Sequence, residues 1–378
     1  MRIAVNAISF IKQPSENDKN SYEEVILQLA ISQPKHTFIF LFDKPHQPEL
    51  VLPENVIPVV VGPEADSPLK WRILYNLKVP SALKKYKADV FISEKFCSLK
   101  TKIPQLLISP DLTFIHQPSY VNKKFIDFYK KYTPRFLNKA DAIIVHSLCS
   151  KNEIITRFKT DTQKIKIHYN IVAKHFKSLS HAEKELIKEK YTDGNEYFIY
   201  KGIISPQQNL INLLKAFSFF KKRQKSTMQL IIAGNAGIDY ETFLESLRLY
   251  RFQKEVKVCK NLSEDELGRI TAAAYAMVYI PLYETSSVST LEGMKCEIPV
   301  ITSSTGAMPE FCGNTALFAE PENLKDIAEK MMLIFKDEKL RKELIEKGNM
   351  QVTKYMAQKT PGILFETIQN LVKKNPLN

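Results

Sequence analysis

The sequence predicts two α/β domains in tandem, each built on a parallel β-sheet. Short β-rich runs alternate with amphipathic helical segments along the chain, the alternation fades across residues 173–196, and it then restarts. A parallel strand pair needs a crossover long enough to be a helix, so this alternation favours sheets that are covered on both faces. The 378 residues leave room for two or three domains, because a domain usually takes roughly 100–200 residues.

The first half, residues 1–172, is predicted to be a Rossmann-like domain. Its strands are expected at runs rich in β-branched and aromatic residues, namely 2–6, 37–42, 56–61, 90–92, 105–108 and 142–146. Helices are expected between these strands, and the helix at 147–158 follows the last of them directly.

The second half repeats the pattern after a polar stretch, 173–196, that is predicted to be a linker and that ends near the turn signal Asp193-Gly194. The second domain is predicted over 197–355, with strands at 197–200, 229–233, 255–258, 276–280 and 300–302 and a helix at 209–222. A C-terminal helix within 356–378 is expected to pack back on the first domain. Two such domains would form a cleft at the carboxyl ends of their strands, where parallel sheets bind ligands.

The cysteine content and the apolar pattern narrow the protein class. The five cysteines are an odd number without a CxxC pair, which excludes a disulfide framework and a structural zinc site as leading hypotheses. The first ten residues have the pattern of a strand, without the cleavage site of a signal peptide, and no window has the 18 or more apolar residues of a membrane span. A reducing cytosol is therefore the expected location.

The net charge of +13 predicts attraction to anions. Most of the basic residues are lysines, which lack the flat fork that suits bidentate phosphate recognition, and no nucleic-acid-binding motif occurs. Diffuse solvation is the simplest interpretation, an anionic membrane surface is the main alternative, and nucleic acid is not expected to be a partner.

The chemistry is predicted in residues 281–323. A strand ends there in a loop with Glu284, and the small residues Ser287, Val288 and Ser289 begin a helix that carries Glu292. Free backbone N–H groups and the helix dipole suit such a helix start to a phosphate or diphosphate. Glu284 could accept hydrogen bonds from sugar hydroxyls and Glu292 could chelate a ribose diol. The alternative for each is an ordinary loop or helix carboxylate.

This segment resembles the donor-binding signature of the retaining glycosyltransferases of family 4, which have the GT-B fold. The matching features are the pair Glu284 and Glu292, the run Pro299-Val300-Ile301, Gly306, and Pro309-Glu310; upstream, the resemblance continues through Lys201-Gly202. It implies two tandem Rossmann-like domains with an interdomain cleft. It also implies metal-independent transfer, without a cofactor, of a sugar from a nucleotide diphospho-sugar to a glycan or lipid-linked acceptor, with retained anomeric configuration.

The resemblance also implies roles for individual residues. Glu284 would hold the donor sugar, and Asp111 in the first half is the candidate active-site acid. The nucleotide and its diphosphate would be bound by Glu292, Ser287, Val288, Ser289, Gly202, Gln207, Gln208 and Lys201.

Several positions depart from the family pattern. Pro110 stands where a histidine usually precedes the aspartate, Gln207 and Gln208 stand where the family usually has arginine and lysine, and Ser287 replaces a glycine. Lys201 or Lys260 could supply the missing positive charge. A catalytically degenerate binding or scaffold subunit is therefore the second hypothesis, and a sugar-nucleotide epimerase is the third.

Residues 121–139 form a predicted basic amphipathic helix. Its aromatic residues, Phe125, Phe128, Tyr129, Tyr132 and Phe136, share one face, and five lysines lie elsewhere on the helix. Peripheral contact with an anionic membrane is one interpretation, and packing of the aromatic face on the first sheet is the other.

Overall fold

The computed structural model describes residues 1–11, 21–46, 50–110, 112–170, 172–237, 239–356 and 361–374. These residues divide into two compact units. The first runs to Tyr169 and also includes the C-terminal helix, and the second lies within Asn170–Gln358. Across the described ranges, no helix combines the length and the apolar character that a bilayer crossing requires.

The first unit is built on a seven-stranded parallel sheet. Its strands are β1 (Arg2–Asn6), β2 (Thr37–Phe42), β3 (Val56–Val60), β4 (Val90–Glu94), β5 (Gln105–Ile108), β6 (Ala142–Val145) and β7 (Ile165–Ile167). Its helices are α1 (Ser21–Ser32), α2 (Pro68–Ile73), α3 (Val79–Lys85), α4 (Thr113–His116), α5 (Lys123–Lys139) and α6 (Leu148–Phe158). The strand order is β3-β2-β1-β4-β5-β6-β7. The six predicted strands are confirmed to within two residues at each end, whereas β7 was not predicted.

Helix α5 buries its aromatic face. Asn122 caps the helix by accepting a hydrogen bond from the Lys124 N–H, and Phe128, Tyr132 and Phe136 belong to the hydrophobic core on one face of the sheet. The Phe96 ring lies 5.7 Å from the Phe136 ring in an edge-to-face arrangement. The prediction that these aromatic side chains pack in the core is therefore confirmed, and they are not available to enter a membrane.

The second unit contains a six-stranded parallel sheet. Its strands are β8 (Tyr197–Lys201), β9 (Gln229–Ala233), β10 (Val256–Cys259), β11 (Ala276–Tyr279), β12 (Val300–Ser303) and β13 (Leu317–Ala319). Its helices are α7 (His181–Thr192), α8 (Leu210–Gln224), α9 (Tyr240–Arg248), α10 (Glu264–Ala272), α11 (Val288–Lys295), α12 (Met308–Cys312), α13 (Leu324–Lys336) and α14 (Glu338–Met356). The strand order is β10-β9-β8-β11-β12-β13.

The polar stretch 173–196, expected to be a linker, contains α7. A capping box begins this helix: the Ser180 hydroxyl accepts from the Glu183 N–H at 3.4 Å, and the Glu183 carboxylate accepts from the Ser180 N–H at 3.0 Å. The predicted turn after the helix is confirmed, because Asp193 and Gly194 both have positive φ, at 50° and 76°. The helix is grouped with the second unit.

The C-terminal helix α15 (Pro361–Lys374) belongs to the first unit. Leu364, Ile368 and Leu371 lie in the hydrophobic core on the sheet face opposite α5. The Phe365 ring lies 5.5 Å from the His36 ring. The last described helix thus completes the core of the unit that contains β1.

Candidate functional site

The candidate site lies at the carboxyl edge of the second sheet. Strands β8 and β11 are neighbours in the middle of the sheet. From β8 the chain adds β9 and β10 toward one edge of the sheet, and from β11 it adds β12 and β13 toward the other edge. Open α/β sheets bind ligands at such a reversal of strand order. Lys201 and Gly202 stand at the end of β8, and Glu284 follows β11, so both segments reach this point.

Two glycines let the loops after β8 and β9 approach each other closely. Gly202 and Gly234 have φ values of +149° and +155°, and a Cβ on Gly234 would lie only 1.8 Å from the Gly202 carbonyl oxygen. The Gly202 N–H donates to the Ala233 carbonyl at 3.0 Å. No side chain fits between the two main chains at this point.

A cavity of about 140 Å³ opens beside these glycines. Its lining includes Lys201, Gly202, Asn235, Asn261 and Leu262. The buried Asn235 side chain accepts a hydrogen bond from the Asn261 N–H at 3.1 Å, which links the loops after β9 and β10. Asn261, Leu262 and Leu267 were not predicted as site residues. The sequence did carry a signal for the loop after β9. Gly234 is one of only 11 glycines in the chain and directly follows that strand.

Glu292 and Lys201 form a buried ion pair. Glu292 lies inside α11, and its Oε2 accepts a hydrogen bond from the Lys201 ammonium. The side chains are 7% and 16% exposed, respectively. The ammonium also lies 4.8 Å from the centre of the Phe176 ring, in a cation–π contact. The structure therefore brings together two predicted site residues, whereas Phe176 was not predicted.

Glu284 is held by a different set of groups. Its Oε1 accepts hydrogen bonds from the Gln208 amide at 2.9 Å and from the Tyr279 hydroxyl at 3.1 Å. Burial raises the pKa of the Glu284 carboxyl above its usual range, while these two hydrogen bonds act in the opposite direction. Its carbonyl oxygen accepts from the Ala307 N–H at 2.9 Å. The predicted residues Gln208 and Glu284 are thus in direct contact.

The start of α11 places Ser287, Val288 and Ser289 after the Glu284 loop. The buried Ser287 hydroxyl lies 2.7 Å from the Thr290 hydroxyl and 3.0 Å from the Met308 sulfur. It therefore faces the protein interior, and the groups that this turn offers a ligand are backbone N–H groups, which have no acceptor within the helix.

Gln207 and Gln208 lie in a 3-10 turn, Pro206–Gln208. The Gln207 carbonyl accepts from the Leu282 N–H at 3.2 Å, which ties this turn to the segment after β11. Asn209 ends the turn with φ at 62° and donates from its side chain to the Pro321 carbonyl at 2.6 Å. Hydrogen bonds of uncharged groups, on Gln207 and Asn209, thus hold the turn Pro206–Gln208 beside Glu284.

Lys260 and two histidines of the first unit have different surroundings. The Lys260 ammonium lies 4.7 Å from the centre of the Tyr240 ring. In the first unit, His116 Nε2 lies 2.5 Å from Glu153 Oε1, and His146 Nδ1 lies 2.8 Å from the His168 carbonyl oxygen. Burial lowers the pKa of His146. Asp111 lies outside the described residues.

Two sequence-family profiles match the chain. The profile described as "Glycosyl transferases group 1" matches residues 182–351, and the profile "Glycosyltransferase Family 4" matches residues 23–175, so that together they span most of the chain. The chain belongs to the group 1 glycosyltransferases. The predicted family is confirmed, and the epimerase hypothesis is not supported by either match.

A sequence relative agrees with this assignment, and the solved structures show the fold. O-antigen chain mannosyltransferase B of Escherichia coli is 23% identical to this glycosyltransferase over 286 residues, which cover 75% of each chain. A sucrose-phosphate synthase from Thermosynechococcus elongatus superposes with a TM-score of 0.79 at 14% identity, covering 99% of both chains. The HepE protein of Anabaena, solved with UDP-glucose, has a TM-score of 0.74 at 14% identity, covering 98% of this chain and 100% of that one. The predicted GT-B fold is confirmed.

Proposed function

We propose that this glycosyltransferase takes its sugar from a nucleotide diphospho-sugar bound at the carboxyl edge of the second sheet. The observation that carries the proposal is the ion pair between the buried Glu292 and Lys201, because Lys201 also lines a cavity at the reversal of strand order. Ligand sites of open parallel sheets occur there. The UDP-glucose in the HepE structure supports the same class of donor.

The donor is proposed to lie along the residues that this edge presents. Glu292 accepts hydrogen bonds from the ribose, and Glu284 accepts them from the sugar. The nucleoside lies against Gly202 and Lys201, and its diphosphate lies against Gln207, Gln208 and the turn Ser287, Val288 and Ser289. Asp111 is proposed as an active-site acid from the first half of the chain.

The proposed reaction retains the anomeric configuration and proceeds without a metal or other cofactor. Negative charge develops on the departing diphosphate, and positioned backbone N–H groups at the start of α11 would stabilise it as the bond breaks. Removing one donor of this kind typically lowers kcat by about 10²–10³-fold. Transfer is therefore expected to continue in EDTA, and NMR of the product should show the donor's anomeric configuration.

The test is a panel of UDP, GDP and ADP, with their sugar conjugates, added to the full chain in a thermal unfolding assay. A nucleotide at 100 times its Kd should add about 2.7 kcal/mol to the free energy of unfolding. Glu292→Ala should abolish the shift and keep the far-UV circular dichroism of the wild type. A shift of equal size in the variant would contradict the site.

The scaffold hypothesis is the second candidate, and one observation favours it. Gln208, at a position where the family usually has a cation, donates its amide to Glu284 and brings no charge to a diphosphate. A protein that binds none of the panel and transfers no sugar would support this candidate over the enzyme.

The acceptor is proposed to be a glycan or lipid-linked saccharide of a surface polysaccharide, reached from the cytoplasm. The E. coli relative, named for the O-antigen chain, supports a polysaccharide acceptor. Because the aromatic face of α5 is buried, contact with an anionic membrane would use its exposed basic residues, Lys123, Lys124, Lys130, Lys131 and Arg135.

Vesicle binding tests this membrane contact. Each lysine near an anionic surface contributes about 1 kcal/mol, so replacing the four α5 lysines by glutamine should weaken binding to anionic vesicles at least tenfold. The matched control replaces the exposed Lys222, Lys225, Lys339 and Lys342, which removes the same charge elsewhere. Equal loss in both variants would indicate a nonspecific charge effect and contradict the contact.

A further inference from the structure

The ion pair of Lys201 and Glu292 supports a more specific inference, which rests on the proposed function. We propose that Lys201 is a positioning residue: its ammonium holds the Glu292 carboxylate in the orientation that binds the ribose hydroxyls. It therefore sets how strongly the site prefers a ribonucleotide over a deoxyribonucleotide.

Lys201 is held on both sides of its ammonium. It is the last residue of β8 and pairs in register with Ala233 of β9, so its main chain is part of the sheet. Its ammonium donates to Glu292 Oε2 on one side and lies 4.8 Å from the centre of the Phe176 ring on the other. Phe176 is 1% exposed, so this ring is itself held in the core.

Glu292 needs such a partner. A carboxylate as buried as this one is unfavourable in the ionised form unless a cation is bound to it. Among the residues that the structure describes, Lys201 is the group that donates a hydrogen bond to the Glu292 carboxylate, and it does so at Oε2. We assign the other oxygen, Oε1, to a ligand hydroxyl.

The main alternative is that Lys201 contacts the diphosphate directly. In that case its loss would weaken every phosphorylated nucleotide equally, whether or not the sugar carries a 2′-hydroxyl. Positioning of Glu292 predicts the opposite, since the loss falls on nucleotides whose hydroxyls bind Glu292. The two roles therefore differ in the ratio of two dissociation constants.

The experiment measures Kd by calorimetry for UDP, GDP and ADP and for their 2′-deoxy forms, with the full chain. A hydrogen bond to a charged group corresponds to a preference of about tenfold or more. The wild type should show this preference for the ribonucleotide that it binds. In Lys201→Met and Glu292→Gln the ratio should fall toward one, and Lys201→Arg should restore most of it.

Lys260→Met is the matched control. Its ammonium also lies over an aromatic ring, Tyr240, and its neighbour Asn261 lines the same cavity, yet it has no described bond to Glu292. This variant should keep the wild-type ratio. A ratio that falls equally in Lys260→Met and Lys201→Met would overturn the inference.

The outcomes separate the two proposals. If the wild type prefers the ribonucleotide and Lys201→Met keeps that preference while binding more weakly, this inference is wrong and the proposed function stands. If the wild type binds none of the nucleotides, the proposed function is wrong and this inference falls with it. If Lys201→Met does not fold, Lys201→Arg takes its place. A folded Lys201→Arg protein that shows little preference for the ribonucleotide would also count against positioning.

Discussion

Replacing Gly306 by alanine tests whether the main chain around Glu284 shapes the donor site. Gly306 has φ at +61°, and a Cβ there would lie 2.3 Å from the Glu284 carbonyl oxygen. The Ala307 N–H donates to the same oxygen at 2.9 Å. A backbone atom cannot rotate aside as a side chain can, so the substitution must move Glu284 or the loop that carries Gly306.

The expected size follows from two contributions. An alanine with positive φ costs about 1–2 kcal/mol relative to glycine, and a contact that forces the backbone to shift costs a further ~1–3 kcal/mol. The free energy of unfolding should therefore fall by about 2–5 kcal/mol. Misplacing a substrate-positioning group by about 1 Å can lower the rate ~10²-fold, so sugar transfer should fall by that order.

Gly194→Ala provides the control. Gly194 also has positive φ, +76°, but the atom nearest to a new Cβ is Oε2 of the Glu189 side chain, at 3.1 Å, which can move away. Urea denaturation should show only the first contribution, and transfer should be unchanged. The reasoning is refuted if Gly306→Ala loses no more stability than Gly194→Ala and transfers sugar at the wild-type rate.

Three further predictions address the Glu284 carboxylate and a buried lysine. Glu284→Ala should weaken binding of the nucleotide-sugar more than binding of the nucleoside diphosphate, since Glu284 is assigned to the sugar. Calorimetry with both ligands measures this difference, and an equal loss of affinity for the two ligands would contradict the assignment. Burial raises the folded-state pKa of Glu284, so the folded protein loses stability as the pH rises through that pKa. Glu284→Gln should then be more stable than the wild type near pH 8 but not near pH 4, as measured by urea denaturation at both pH values. A difference in the free energy of unfolding that does not change with pH would refute the burial argument. Lys221 is 5% exposed and donates to the Met228 carbonyl at 3.0 Å. Lys221→Met should lower the free energy of unfolding by about 1–3 kcal/mol in the same assay, whereas Lys222→Met, at an exposed position, should change it little. Similar losses in both variants would show that burial does not matter here.

The sheet strands were predictable because their sequences are continuous apolar runs. Both faces of a parallel sheet are buried, and β2 (Thr37–Phe42) and β9 (Gln229–Ala233) match the predicted ranges for that reason. Strands β7 and β13 escaped prediction, since each has three residues at a sheet edge. Runs so short carry no periodic signal that separates them from a loop.

The candidate site was predictable in its residue types but not in its pairings. The spacing of Glu284 and Glu292 is visible in the sequence, whereas Lys201 and Glu292 are 91 positions apart. Charge alone did not distinguish Lys201 from Lys260; in the structure each ammonium lies over an aromatic ring, and the Lys201 ammonium also donates to a carboxylate. Tyr279 was not predicted as a site residue because its sequence position is that of an ordinary strand residue.

The position of α15 has a consequence for how the protein is made. During translation, the ribosome finishes the second unit before it reaches Leu364, Ile368 and Leu371, which belong to the core of the first unit. Until then, the apolar surface that these side chains cover on the N-terminal sheet stays open in the nascent chain, where a chaperone can bind it. The ribosome starts the first unit before the second, yet the first unit reaches its complete native core after the second.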